Sequence, residues 1–463
     1  MFSSRKTAAP STGYNLTKSL RFRSSASAYL SRTPAGAGNQ TVWTWSKWVK
    51  RGTLGSIQTL FDAYTNGSNS SSISFTSADQ LQVSNYVSAS LVTNKVTTQV
   101  FRDPSAWYHI VVSSNGSTSL NIYVNGVQVT SFATNVGPTA ANWFFNGANN
   151  HRIGTEASGG SPTQLFDGYL TEVNFIDGQS LTPSSFGSTN ALTGVWQPAR
   201  YTGTYGTNGF YLPFTNTTST TTLGYDFSPN GNNWTTNNIS LTAGSTYDSM
   251  TDVPTLTSAT AANFCTLNPL NNIGTYATFS NGNLTVINTS AASHSQFAGT
   301  MGMTSSTSKI YWEVTTQGDA STRTAAGIGS NIITGNNLAG LSAGQYTWYV
   351  GGAAAIYWEP AGGASPFNVA WVTGDILNFA YDPATGNLFA GKNGTYYSSA
   401  GATTGNPATG ANPTAVLTNT NTQFPIGSVY NAGTNSYLYY NFGQQPWANT
   451  IPSGFAGLNT YNL

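Results

Sequence analysis

The chain has 463 residues, of which 7% are charged and 13% aromatic, with 49 Gly, 19 Pro and a single Cys. So much aromatic surface to bury excludes a disordered chain, and the length exceeds the about 50 to 250 residues that one domain usually holds. One cysteine excludes an intrachain disulfide, and no stretch reaches the roughly 18 consecutive apolar residues of a membrane span. Net charge is +1, yet nine of the 16 basic residues lie within the first 51 positions, and no acid precedes Asp62. From Asp62 onward, 7 basic residues face 15 acidic ones. Two accounts of this asymmetry stay open: wet-face positions on early strands, or a basic arm that docks on an acidic partner.

In chain order, residues 1–18 are expected as an extended arm, because Ala8-Ala9-Pro10-Ser11-Thr12-Gly13 cannot hold a helix. They carry Arg5, Lys6 and Lys18 as candidate docking residues, and show no continuous apolar core of a signal peptide. Residues 19–246 are expected as a first β-sandwich. Its early strands are Leu20–Phe22, Ala28–Leu30 and Val42–Val49, the last with Trp43 and Trp45 opposite Thr44 and Ser46. Shorter strands follow at Ile57–Phe61, Ser72–Phe75, Leu81–Val83 and Ser90–Val92.

From Trp107 to Val129 the alternation is strict. Tyr108, Ile110 and Val112 share one face, and a polar turn at 113–117 returns the chain through Leu120, Ile122 and Val124. Asn125-Gly126 then supplies the positive φ angles of a second tight turn. This predicts a β-meander with one buried and one wet face. Asn142–Asn146, Arg152–Gly154 and Phe166–Phe175 complete the first sandwich, residues 247–259 read as a linker, and residues 260–463 form a second sandwich. Gly374 to Gly394 repeats the meander grammar, turning at Asp382-Pro383-Ala384-Thr385-Gly386 and again at Asn393-Gly394. The expected class is all-β: two antiparallel jelly-roll sandwiches in tandem behind a short extended arm.

Several of these segments carry a resemblance. Trp107–Val112, Ile122–Gly126, Ile153-Gly154 and Phe166–Leu170 occur in the order seen in laminin-G-like, concanavalin A-like lectin/glucanase domains. Ile176–Pro183 resembles the segment that ends phage versions of that domain. Lys309–Val314, Ala326–Gly329, Thr373–Ile376 and Leu438–Gly443 are similar to SPRY domains, although Gly335 to Gly363 matches no motif. The whole layout resembles a virion structural or tail-fibre protein of a tailed bacteriophage. That resemblance implies assembly in the host cytoplasm, residence on the virion, virion-protein partners and a homo-oligomer such as a trimer.

The sequence bears on catalysis, metal binding and sugar binding in turn. Glycosidases need two facing carboxylates, but none of Glu156, Glu172, Glu313 and Glu359 has another acid two or four positions on. His109, His151 and His294 are scattered, and no nucleophile elbow accompanies them. No catalytic residue is therefore assigned, and a glycan hydrolase stays a lesser alternative. Cys265 reads as a small buried hydrophobe. The laminin-G-like resemblance implies room for one Ca²⁺, with Asp167, Asp177, or Asp226 with Asn230 and Asn232 as oxygen ligands, against the turn-forming role of the same residues. For host-surface polysaccharide the candidates are Trp143, Tyr205, Trp234, Trp348 and Trp358, placed in or beside loops where a ring could stack on a sugar. Beyond Arg51 no basic patch exists to neutralise phosphates, so nucleic acid is not expected as a partner. The expectation is a tail fibre or appendage that contacts glycans without catalysis. A head decoration or head-fibre protein is the alternative.

Overall fold

The computed structural model describes residues 14–463 except 117, 140, 158–160, 274–275, 289–293, 318–323, 331–343, 351–368, 418–420 and 431–436. Contacts divide the chain into two compact units. The first runs to Thr257 apart from Ala243–Ser245, and the second covers Ser258–Leu463.

Both units are antiparallel β-sandwiches. In the first, one sheet is ordered Val127–Gln128, Leu120–Val124, Trp107–Asn115, Val42–Arg51, Gly168–Asp177, Ser19–Phe22 and Ser249–Met250, with Phe210–Leu212 also paired to Gly168–Asp177. The other runs Phe132–Val136, Ser90–Val100, Gln80–Val87, Asn69–Phe75, Gln58–Asn66, Asn150–Ile153, Tyr29–Arg32 and Thr235–Asn237. The expected meander is present, with Ile110 opposite Val124 and Val112 opposite Ile122. Period-two alternation sends Trp43, Trp45 and Val49 into the core, where Trp45 stacks on Phe61 at 5.4 Å. Such a stack adds about 0.5–1.5 kcal/mol to the burial term.

In the second unit, Leu267–Ile273, His294–Gly299, Phe424–Tyr430, Thr324–Gly329 and Gln345–Val350 form one sheet. The other runs Ala277–Ser280, Thr285–Asn288, Tyr437–Asn441, Ile310–Gln317, Ile376–Asp382, Asn387–Lys392 and Thr395–Tyr397. The second meander is in place, with Trp312 stacked on Phe379 at 5.2 Å. Cys265 is buried.

Three local expectations are corrected. The Trp107–Asn115 strand has no wet face: Val111 joins Ile176, Phe186, Tyr201, Tyr205 and Tyr211 in a second apolar cluster on the outer side of the sheet. Asn142–Asn146 is a turn, with Asn146 at φ 67°, because Trp143 and Phe145 reach the core from a loop. Residues 247–257 are not a linker. Ser249–Met250 pairs with Ser19–Phe22, and Asp248 and Asp252 are buried ion-pair partners.

Candidate functional site

The aromatic residues singled out for sugar stacking are largely core residues. Trp143 packs edge-on against Trp43 at 5.4 Å, and Trp234 lies against Phe210 at 4.9 Å. The Tyr205 hydroxyl donates to Asn174 Oδ1 at 3.2 Å inside the second apolar cluster. Trp348 is buried and donates Nε1–H to the Val369 carbonyl at 2.9 Å. Trp358 lies outside the described residues. A ring with no open face cannot stack on a pyranose, so these four aromatics serve packing instead, Trp348 from within the Gln345–Val350 strand and not from a loop. Local sequence could not reveal it, because the partners come from distant strands.

Four aromatic rings are exposed among the described residues, Tyr86, Tyr225, Phe227 and Tyr461, and of these Tyr225 and Phe227 share one loop. Tyr225 and Phe227 keep about 40% of their surface open, at 39% and 41%. Tyr225 is in extended conformation, and Phe227 N–H donates to the Tyr211 carbonyl at 2.8 Å, which ties the backbone on both sides of Asp226. Asp226 fastens the loop. Its Oδ1 accepts the N–H groups of Tyr211 at 2.8 Å and Ser228 at 2.7 Å, and its Oδ2 accepts Asn232 N–H and the Ser228 hydroxyl, both at 2.7 Å. Asn230 donates to the carbonyls of Gly206 and Gly209 at 2.6 and 2.8 Å. Asn232 donates to Thr207 and Gly209 at 3.0 and 2.9 Å, and accepts from the Arg32 guanidinium at 2.5 Å. The two rings are thus displayed on a pre-organised platform, with the exposed Asn230 and Asn233 beside it in sequence. The signal in the sequence was Tyr225-Asp226-Phe227 followed by an Asn-rich turn.

Next to that loop lies a buried amide–carboxylate network. Asp177 Oδ1 accepts from Asn39 N–H at 2.9 Å and from the Asn146 carboxamide at 2.6 Å, while Oδ2 accepts Asn208 N–H at 3.1 Å. Asn208 in turn donates to Asn146 Oδ1 at 2.9 Å and to the Gly36 carbonyl at 2.9 Å. Asp167 accepts the amide and hydroxyl of Ser24 at 3.3 and 3.1 Å. The carboxylates considered for calcium therefore each accept hydrogen bonds from N–H or O–H donors of the chain. Among the described residues, no three His, Cys, Asp or Glu side chains gather as a metal-holding group.

The other buried acids sit apart. Glu172 is in a β-bulge at φ 54°, where the pairing of Gly168–Asp177 with Val42–Arg51 shifts register. Its carboxyl oxygens lie 2.6 Å from the Tyr14 and Tyr211 hydroxyl oxygens, one on each. Glu313 accepts the Tyr311 hydroxyl at 2.7 Å and the N–H groups of Asn449 and Ala448 at 2.8 and 2.9 Å. Asp62 accepts Ala157 N–H at 3.1 Å through Oδ2. Burial, and then the charge of Glu156, push its carboxyl up to about 8. A search along single strands misses Asp62 and Glu156, because Glu156 follows the Asn150–Ile153 strand. Asp62 is fully buried, so no substrate touches it in this conformation.

The early cations turn inward. Arg21 and Arg23 share Asp248, at 3.2 and 2.8 Å, Lys50 pairs with Asp252 at 2.8 Å, and Arg51 pairs with Asp79 at 2.9 Å. Neither account of the charge asymmetry describes them: acids from far along the chain neutralise them inside the first sandwich. Of the docking candidates, Arg5 and Lys6 lie outside the described residues. Lys18 is half-buried, and its carbonyl accepts the Thr171 hydroxyl at 2.8 Å. Residues 14–18 accordingly belong to the folded unit.

A family model described as concanavalin A-like lectin/glucanases superfamily, laminin-G type, matches residues 24–185. Similar solved structures include a Bacteroides ovatus protein whose proposed role is carbohydrate binding (17% identity, TM-score 0.34, 48% of this chain and 59% of that one). The SPRY domain of human HERC1 is another (12%, TM-score 0.27, 38% and 96%). A third is the heptameric SAP-like pentraxin of Limulus polyphemus (16%, TM-score 0.30, 42% and 95%). The chain thus spans less than two thirds of the Bacteroides protein. No curated protein sequence matches it.

Proposed function

We propose that this chain is a non-catalytic, carbohydrate-binding component of a bacteriophage virion, a tail fibre or appendage. In this reading its first sandwich holds host-surface glycan on Tyr225 and Phe227. The observation that carries the reading is the pair of exposed rings on a loop fastened by Asp226, Asn230 and Asn232. Two apolar ring faces beside amide donors and acceptors match a pyranose, which presents C–H faces and hydroxyl edges. The lectin-type match over residues 24–185 supports the substrate class. The phage-like order of segments supports the setting.

A glycan array tests the site, with wild type beside Tyr225→Ala and Phe227→Ala. Wild type is expected to bind neutral glycans, and each variant to weaken binding about tenfold, or about 1.4 kcal/mol. Binding that survives both substitutions would move the site elsewhere; no binding to any glycan would remove the lectin role. Labelled-antibody electron microscopy of particles tests the setting, and separates tail from head.

A further inference from the structure

The carboxyl of Glu172 and the hydroxyls of Tyr14 and Tyr211 close a triangle of three groups. Tyr14 Oη lies 2.6 Å from Glu172 Oε2, Tyr211 Oη lies 2.6 Å from Glu172 Oε1, and the two hydroxyl oxygens are 2.7 Å apart. Each of these contacts is short enough to need a proton between its oxygens. The two tyrosines supply only two protons. With an ionised carboxylate, one side of the triangle would set lone pair against lone pair at hydrogen-bond distance. A protonated carboxyl supplies the third proton: the carboxyl then donates through one oxygen and accepts on the other, and each hydroxyl donates once and accepts once, in either sense round the ring.

We infer that Glu172 is held as a neutral acid in this ring, and that the ring is a proton-sensitive clasp on the N-terminal segment. Loss of the proton loosens residues 14–18 from the sheet. The ring is the tie nearest to residues 1–13, which include Arg5 and Lys6. Beyond it, Leu16 bonds Thr255 and Thr257, and Lys18 bonds Thr171.

The surroundings agree. Glu172 and Tyr211 are buried, and Tyr14 is half-buried. Among the described residues, the other ionisable groups near the carboxyl are Arg200, whose guanidinium lies 5.0 Å over the Tyr211 ring, and Tyr205. Arg200 is exposed to solvent and favours the ionised form, as do the two tyrosine hydrogen bonds. Burial outweighs them, and the carboxyl is raised from 4.5 to about 7. A carboxyl raised in the closed form and ordinary in the open one stabilises closure below about pH 4.5. That stabilisation is lost as pH rises through about 7. This goes beyond glycan binding and does not depend on it.

Hydrogen exchange of residues 14–18, corrected for the intrinsic pH dependence, reads the clasp between pH 5 and 9. In wild type, the opening equilibrium is expected to rise by up to about tenfold per pH unit towards pH 7, then flatten. Glu172→Gln has the shape of the protonated acid and can donate and accept in the same ring. It is expected to stay closed at every pH with no slope. Tyr14→Phe removes one ring proton, and is expected to raise opening at pH 5. A flat wild-type profile, or an unchanged slope in Glu172→Gln, would overturn the inference.

Discussion

The Lys47 Nζ atom lies 3.9 Å from the centroid of the Trp45 ring and is fully buried, with no hydrogen-bond partner among the described residues. Trp43, Trp45 and Val49 share its side of the strand and line the sandwich core, so the amine points between the sheets. Burial holds its pKa well below the usual lysine value. Lys47→Met keeps the length and removes the stranded polar end, and should raise unfolding stability by about 1–3 kcal/mol at pH 7. The gain should shrink as pH approaches 10.5, where the unfolded lysine also loses its proton. Denaturant melts at both pH values decide it; a destabilised variant would mean that the amine has a partner in solution.

Asp248 accepts from both Arg21 and Arg23 while itself fully buried. Removing it takes the countercharge of Asp248 from the fully buried Arg21 guanidinium. Asp248→Ala is therefore expected to cost about 3–5 kcal/mol in guanidinium denaturation. A loss below about 1 kcal/mol would show that water reaches this cluster.

Asp62 should make the protein less stable as pH rises. Its carboxyl is raised from 3.8 to about 8, so its contribution is complete below about 3.8 and is lost on passing through about 8. Asp62→Asn removes the ionisation. The variant should equal wild type within about 1 kcal/mol at pH 4 and exceed it by about 1–3 kcal/mol at pH 9. Parallel pH curves for the two proteins would contradict this.

Two histidines are expected in opposite tautomers. His109 Nδ1 accepts the Trp196 indole N–H at 2.9 Å, which leaves its proton on Nε2, 2.9 Å from the Ser46 hydroxyl. His151 Nε2 accepts Asn146 N–H at 3.1 Å, which leaves its proton on Nδ1, facing the Asn149 carbonyl at 2.8 Å. Burial lowers them to about 3 and about 4. Their stabilising effect is present above pH 6.5 and lost as pH falls through those values. Nitrogen NMR should show both tautomers unchanged from pH 8 down to about 5; a titration near 6.5 would refute the burial argument.

The alternation of Trp43 and Trp45 against Thr44 and Ser46, and the turns at Asn125-Gly126 and Asn393-Gly394, were legible because side-chain period and turn chemistry are local. The site was less legible. Asp226 looked like a turn former and is one, yet the use of that turn, holding Tyr225 and Phe227 open to solvent, depends on Tyr211, Gly206 and Gly209. Trp143 and Trp234 looked like loop aromatics and are core, because loops here supply side chains to the sandwich interior.

By itself, the sequence determined two meandering β-sandwiches, since strand and turn preferences act over a few neighbouring residues. Only the tertiary structure decided where the charge went. Arg21 meets Asp248 across 227 positions and Lys50 meets Asp252 across 202, contacts that exist only once the sheets have closed. The same closure set Tyr14 against Glu172 across 158 positions. Burial there gives a carboxyl a chemistry that its neighbours in sequence could not foretell.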